Sequence, residues 1–246
     1  MAERRQRRAA PAPPSAAGAA PRAARSPGRR TRVRPPSARS LEREQEIYDV
    51  AADIFHRKGY AGTTLQDIAD AVGLLKGSLY YYIDSKEDLL YRITQDIHEG
   101  ARRTVAASAA VGGPPSARLR ALVEGHVLAF RDRLAWIRVF YTEHTALTGE
   151  RRREIMAERR AYEAYVDGLL AEGQADGSFC PDMDPRVARN GILTMVNSVY
   201  LWYRPAHDPP IERIATMYGD FVLNGLRCAP SHDHGTRAVE AGTGLC

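Results

Sequence analysis

Residues 63–88 read TTLQDIADAVGLLKGSLYYYIDSKED, and the spacing inside this stretch decides the fold. Thr63 and Gln66 form a capping-box pattern that starts a helix, Ile68, Ala69 and Val72 face inward, and Gly73 lets the chain leave with positive φ. After the Leu74–Leu75 connection, a second short helix over 76–83 buries Leu79 and Ile83, four residues apart, and leaves Lys76, Ser78, Tyr81 and Tyr82 more exposed. Ser85 then caps a longer helix with Glu87 and Asp88 in its first turn and Leu89, Leu90, Ile93 and Ile97 on its core side. Two short helices around a glycine turn are helix-turn-helix geometry.

Upstream, Ser40 is the expected cap of a first helix whose face is Ile47, Val50, Ala51, Ile54 and Phe55 and whose end is Arg57, Lys58 and Gly59. Downstream, helical spacing recurs over about 86–103, 116–133, 136–148, 150–175, 185–203 and 210–227, with no run of alternating β-branched residues. The class is therefore all-α: an N-terminal three-helix domain with a helix-turn-helix, then a C-terminal helical domain, about nine helices together. The segment 185–203 is apolar nearly all round, which predicts burial on more than one side. The final segment presents Ile211, Ile214, Ala215, Tyr218, Phe221 and Val222 on one face.

The 246 residues, 44 % hydrophobic and 26 % charged, exclude collagen-like, coiled-coil and wholly disordered classes. The net charge of +5 divides sharply along the chain. Residues 1–40 hold eleven arginines and one acid, a net +10, whereas the other 206 residues carry 24 basic and 29 acidic side chains, a net −5. Rich in Ala and Pro, with Val33 its one large aliphatic residue after Met1, the arm is expected to be disordered. Three readings of it stay open: extra phosphate contacts, a solvated linker, or upstream sequence wrongly included at translation start. The expected organisation is a 1–40 arm, a 41–88 DNA-binding domain, an 89–228 ligand-binding and dimerisation domain, and a flexible tail over 229–246. Apolar runs too short for a membrane span, and no secretory leader, lead us to expect a cytoplasmic protein without a membrane partner. Cys180, Cys228 and Cys246 form neither a disulfide framework nor a zinc pattern, and reduced structural thiols are expected.

FHRKGYAGTTLQDIADAVGLLKGSLYYYIDSKEDLL, residues 55–90, resembles the N-terminal DNA-binding domain of TetR-type transcriptional regulators, a likeness that extends over about 42–95. The resemblance implies that the second short helix enters the major groove of double-stranded operator DNA, with Lys76, Gly77 and Ser78 near base edges. It also implies that Tyr80, Tyr81 and Tyr82 reach phosphates or thymine methyls, Tyr80 alternatively being partly core. Thr64 and Gln66 would turn toward the DNA backbone, and Lys86 toward a phosphate. This chain departs from the family at Leu75, where a small polar residue is usual, and at Ile83, where an aromatic is usual. With six basic and twelve acidic residues over 41–100, the domain cannot hold DNA by bulk charge.

The family likeness further implies a homodimer on a palindromic operator, paired through the last two helices; Val199, Tyr200, Ile211, Ile214, Tyr218, Phe221 and Val222 are the interface candidates. The other reading, that this face packs only within its own subunit, stays open. ADGSF at 175–179 with WYRP at 202–205 resembles TetR-type repressors answering to fatty-acid or steroid-derived acyl-CoA thioesters. Such relatives place basic or aromatic groups where this chain has Leu193, Asn197 and Leu201, so a less charged apolar ligand stays open beside the thioester. Phe130, Trp136, Phe140, His144, Met195 and Asn197 are the pocket candidates, plain core being the alternative for each. His126 and His144 lie on different helices, and His232 and His234 sit beside Gly and Ser in the tail, so no metal is assigned. No cofactor and no catalytic residue is assigned either, because hydrolase, nucleotide-loop and metalloprotease motifs are absent. The expected function is a repressor released from DNA when an apolar molecule moves the helix that starts at Lys86. An all-α enzyme or a non-DNA-binding adaptor using acyl-type ligands is the alternative.

Overall fold

The computed structural model describes residues 38–228. The expectations for the arm up to residue 37 and for the tail from residue 229, with His232, His234 and Cys246, lie outside the described residues. Every regular element among the described residues is helical: α1 (Ala38–Lys58), α2 (Leu65–Ala71), α3 (Lys76–Leu79), α4 (Lys86–Val111), α5 (Pro115–Leu128), α6 (Phe130–Glu143), α7 (Gly149–Ala175), α8 (Pro185–Asn197), α9 (Val199–Trp202) and α10 (Ile211–Gly225), with a 3-10 turn at His144–Ala146. None of these helices is long and apolar enough to cross a membrane.

Two apolar clusters organise the chain. The first joins Ile47, Ala51, Phe55, Ile68, Leu79, Ile83, Leu89 and Ile93 of α1–α4 to Trp136, Val139, Leu147 and Ile155 of the following half. The second joins α5 to α7, α8 and α10, and includes Leu119, Val127, Phe130, Val166, Phe179, Val196 and Ile214. The α4 helix touches both, running from the helix-turn-helix of α2 and α3, the head of the molecule, along α5, α6 and α7. Its length matters, because burial continues through Thr94, His98 and Ser108, beyond the end expected near residue 103. Gly112, at φ +66, ends it.

Several boundaries differ from the sequence expectation for identifiable reasons. Ser40 lies inside α1 and not at its cap. Thr64 and Asp67, not Thr63 and Gln66, make the capping box of α2; Thr63 is buried and its hydroxyl donates to Gly59 O at 2.8 Å. The 116–133 helix is divided into α5 and α6 around Ala129, which keeps helical angles, and the kink comes at Arg133, whose backbone angles are non-helical. Ser198 divides the 185–203 segment into α8 and α9, which adds one helical segment to the nine expected. That segment is also less enclosed than its composition suggests, since Val187 and Leu201 face solvent. At the end of α7, a Cβ on Gly173 would fall 2.0 Å from the Phe179 ring, so the glycine is what lets the buried phenyl of the ADGSF turn lie on the helix.

Candidate nucleic-acid interface and effector cavity

The reading head is built by local hydrogen bonds. Asp67 accepts from the Thr64 N–H at 2.8 Å and from Lys58 Nζ at 2.7 Å, while Thr64 Oγ1 accepts from Asp67 N at 3.1 Å. The Lys58 ammonium, then the Thr64 groups, hold the Asp67 carboxyl well below the usual carboxylate range. Gln66 stays exposed and donates to Asp70 at 2.7 Å. Gly73, at φ +68, turns the chain toward α3. Lys76, Gly77 and Ser78 are all exposed, and a Cβ on Gly77 would meet no atom of the described residues within 4 Å, so the space they leave beside it is open to a partner. Helical structure stops at Leu79, short of residue 83, with Tyr80 and Tyr81 in solvent and Tyr82 half-buried edge-on to Tyr81.

Lys86 is placed differently from the expectation. Its ammonium donates to Tyr60 O and Thr63 O, each at 2.8 Å, and lies 4.3 Å from the centre of the Tyr60 ring. It pins the α1–α2 turn from the first residue of α4 and is not left free for a phosphate. Arg43 likewise pairs with Glu46 and donates to Val72 O.

Behind the head, a cavity of about 690 Å³ is walled by α4, α5, α6, α7, α8 and α9. Of the six pocket candidates, it brings together Phe140, His144 and Asn197. Phe130 borders a second cavity of about 610 Å³ between α4, α5, α6 and α7, and Met195 packs on the second apolar cluster. Trp136 borders neither. Its Nε1 donates to Asp49 Oδ1 of α1 at 2.8 Å, its ring meets Tyr48 edge-on, and Arg133 lies over it, so it joins the two halves of the chain.

Sequence reasoning missed His98, His126, Tyr141, Arg159 and Tyr162 as cavity residues. His126, Tyr141 and Tyr162 also border the second cavity, so they form a shared partition. His126 Nδ1 meets Tyr162 OH at 2.9 Å, Tyr141 OH donates to Asn197 Oδ1 at 2.5 Å, and Tyr141 stacks on Tyr200. Burial pushes His126 down to about 4, against a weaker upward pull from Asn197, and pushes both tyrosines up. His98 is buried beside Phe140 with no partner for Nε2 among the described residues, and burial pushes it down to about 4 as well. Arg159 is matched by Glu163 at 2.9 Å, so the wall offers an apolar ligand neutral hydrogen-bonding groups and a balanced charge pair.

The model of bacterial regulatory proteins of the tetR family matches residues 47–93, and the model of the tetracyclin repressor-like C-terminal domain matches 112–226. The transcriptional repressor KstR2 of Rhodococcus jostii is 32 % identical over 188 residues, which cover 75 % of this chain and 91 % of that protein. This chain belongs to the TetR family. The solved KstR2 of Mycobacterium tuberculosis, a ketosteroid transcriptional regulator, superposes with a TM-score of 0.73 at 25 % identity, covering 76 % of this chain and 96 % of that one. AibR, solved with isovaleryl coenzyme A and operator DNA, superposes with a TM-score of 0.65 at 29 % identity, covering 75 % and 97 %. In this TetR-family chain, the two matched regions meet the head and the cavity, and α4 spans the gap between them.

The candidate dimer residues divide into two groups. Val199, Ile211, Ile214 and Val222 are buried within the chain, α10 lying along α5, so four of the seven belong to the intrachain core. Tyr200 borders the cavity and Tyr218 is half-buried. Phe221 is exposed, as are Leu201, Trp202 and Met217, which sequence periodicity alone did not single out.

Proposed function

We propose that this chain is a homodimeric repressor that holds a palindromic operator through α2 and α3 and releases it when an apolar small molecule fills the α4–α9 cavity. The observation that carries this reading is the double attachment of α4. At one end its Lys86 clamps the Tyr60–Thr63 turn that leads into the Thr64 cap of the reading head; about three to four turns later its Ile97, His98 and Ala101 form cavity wall. A ligand that fits the cavity in only one arrangement of α4 must shift the head, since coupling between sites is differential binding to two states. The described residues that face DNA are Thr64, Gln66, Lys76, Gly77, Ser78, Tyr80, Tyr81 and Tyr82 in this reading, with Lys86 in a supporting role. Phe221, Leu201, Trp202 and Met217 carry the subunit contact.

Support for the ligand class comes from AibR, whose structure holds an acyl-coenzyme A with operator DNA, and from KstR2, a ketosteroid regulator. A steroid-derived or fatty acyl thioester, its apolar part inside the cavity, is the effector that fits both. The test is a gel-shift titration of the purified chain against duplexes enriched from a random pool, with and without fatty acyl-CoA and steroid-derived CoA thioesters. Release by a thioester is the expected result. Retention with every thioester, but release by the free lipid, would leave the repressor and overturn the thioester. Failure to enrich any duplex would overturn the repressor.

A further inference from the structure

The head is short of free positive charge and rich in exposed apolar surface. Arg43 and Lys58 are paired with Glu46 and Asp67, Lys86 is held by two backbone carbonyls, and Arg57 donates to Asp53 O. On the α3 side the chain instead sets three large side chains in water: Leu75 at 80 % exposure, Tyr81 at 82 %, and Tyr80. Leu75 is the least favourable of these for the isolated chain. It occupies the N-cap of α3 in an extended conformation and makes no side-chain cap bond, whereas the neighbouring helices α2 and α4 are capped by Thr64 and Ser85. It also stays out of the core, although Leu79, at the other end of the same helix, is fully buried. One position thus forgoes both a cap and burial, and such local rule-breaking marks places where a partner outside the chain completes the environment.

For a family whose reading head docks on duplex DNA, that partner is the major groove, and the apolar feature of the major groove is the thymine 5-methyl. We propose that Leu75 packs on a thymine methyl in each half of the operator, and that this contact is a specificity determinant of this chain's head. Lys76 beside it supplies charge, and the open space at Gly77 lets the backbone come close. The inference rests on operator binding by α2–α3 but not on any effector.

The test uses the full chain and a duplex enriched from a random pool, each thymine in turn replaced by deoxyuridine, which removes one methyl and leaves the pairing edge intact. One thymine per half-site is expected to weaken binding by about three- to ten-fold when replaced. L75A should weaken binding to the thymine operator by a similar factor and bind thymine and uracil forms equally, with an unchanged thermal melt because the side chain is exposed. Y81A should keep the thymine preference. Absence of any uracil-sensitive position, or a thymine preference that survives in L75A, would overturn the proposal. Loss of the preference in Y81A with retention in L75A would overturn it too, and move the contact to the tyrosine. If no duplex is enriched, the operator reading itself falls and the proposal with it.

Discussion

Lys76 and Lys86 have the same chemistry and similar places at helix starts, yet their surroundings assign them different tasks. Lys86 makes two charge-assisted bonds to carbonyls and a cation–π contact, so K86M should cost about 1–3 kcal/mol and lower the melting temperature by several degrees. K76M, at an exposed position, should leave stability within about 0.5 kcal/mol but flatten the salt dependence of DNA binding by about one unit of slope per subunit. Thermal melts and salt titrations of both variants separate the two tasks, and an unaltered melt for K86M would show that the clamp contributes nothing. The buried histidines make a second prediction at this scale. His98 and His126 are both pushed down to about 4 from an ordinary 6.5, so between those values the unfolded chain binds protons that the folded chain refuses. Stability is full above pH 6.5 and falls as the pH drops toward 4, by up to about 3 kcal/mol for each ring. Melting temperature followed from pH 7.5 to 4.5 should decline, and H126Q should decline less steeply. Equal slopes would place the acid sensitivity elsewhere.

The α6 helix shows how the elements bind head to body. Trp136 comes from α6 but belongs to the apolar cluster of the head, where its ring packs near Tyr48 and its Nε1 bonds Asp49. W136A should cost about 3–5 kcal/mol, whereas W136F, which keeps most of the packing and loses the Asp49 bond, should cost about 1 kcal/mol. Neither should alter ligand affinity in the folded protein, because Trp136 borders neither cavity; denaturant titration and ligand titration together check this. The tryptophan's true place was hidden in the sequence because an aromatic residue in an amphipathic segment looks the same whichever cluster it enters. Other details were illegible for related reasons. Thr63-x-x-Gln66 and Thr64-x-x-Asp67 satisfy the same capping pattern, and what separates them lies outside the four-residue window: Lys58, nine residues before Asp67, donates to its carboxylate, while Thr63 is buried with its hydroxyl bonded to Gly59 O. The inner stripe of α4 continues through Ala101, Thr104 and Ser108, residues too small or too polar to announce burial, which is why His98 escaped notice as cavity wall. What was legible is what local chemistry fixes: the Gly73 turn, the Ser85 cap that accepts from Asp88 N, and the buried Leu79 and Ile83 that orient the head.

At the scale of the whole molecule, burial and charge are sorted into different regions. The inner face of α10, with Ile211, Ile214 and Val222, is used up on α5, so what is left for a second subunit is the flank of α10, where Phe221 is exposed at 61 % and Met217, one turn before it, at 46 %. A double variant, M217D with F221D, should keep the monomer's melt nearly intact while shifting sedimentation from dimer to monomer, because it places charges where a dry contact is proposed. Charge is sorted the other way: residues 41–100 are net −6 while residues 1–40 are net +10. A head that repels the DNA polyanion on average can hold it through local contacts, but it gains little of the counterion release that makes binding salt-sensitive. The arginine-rich arm is the part of the chain able to supply that component. Removing residues 1–37 should therefore flatten the plot of log affinity against log salt, by about 0.9 for each phosphate that the arm neutralises. The same deletion should weaken operator and random duplex by equal factors, since phosphates carry no sequence. Affinity measured between 50 and 300 mM salt on both duplexes decides the matter: an unchanged slope assigns the arm no part in DNA binding, and a selective loss on the operator assigns it a part in reading sequence.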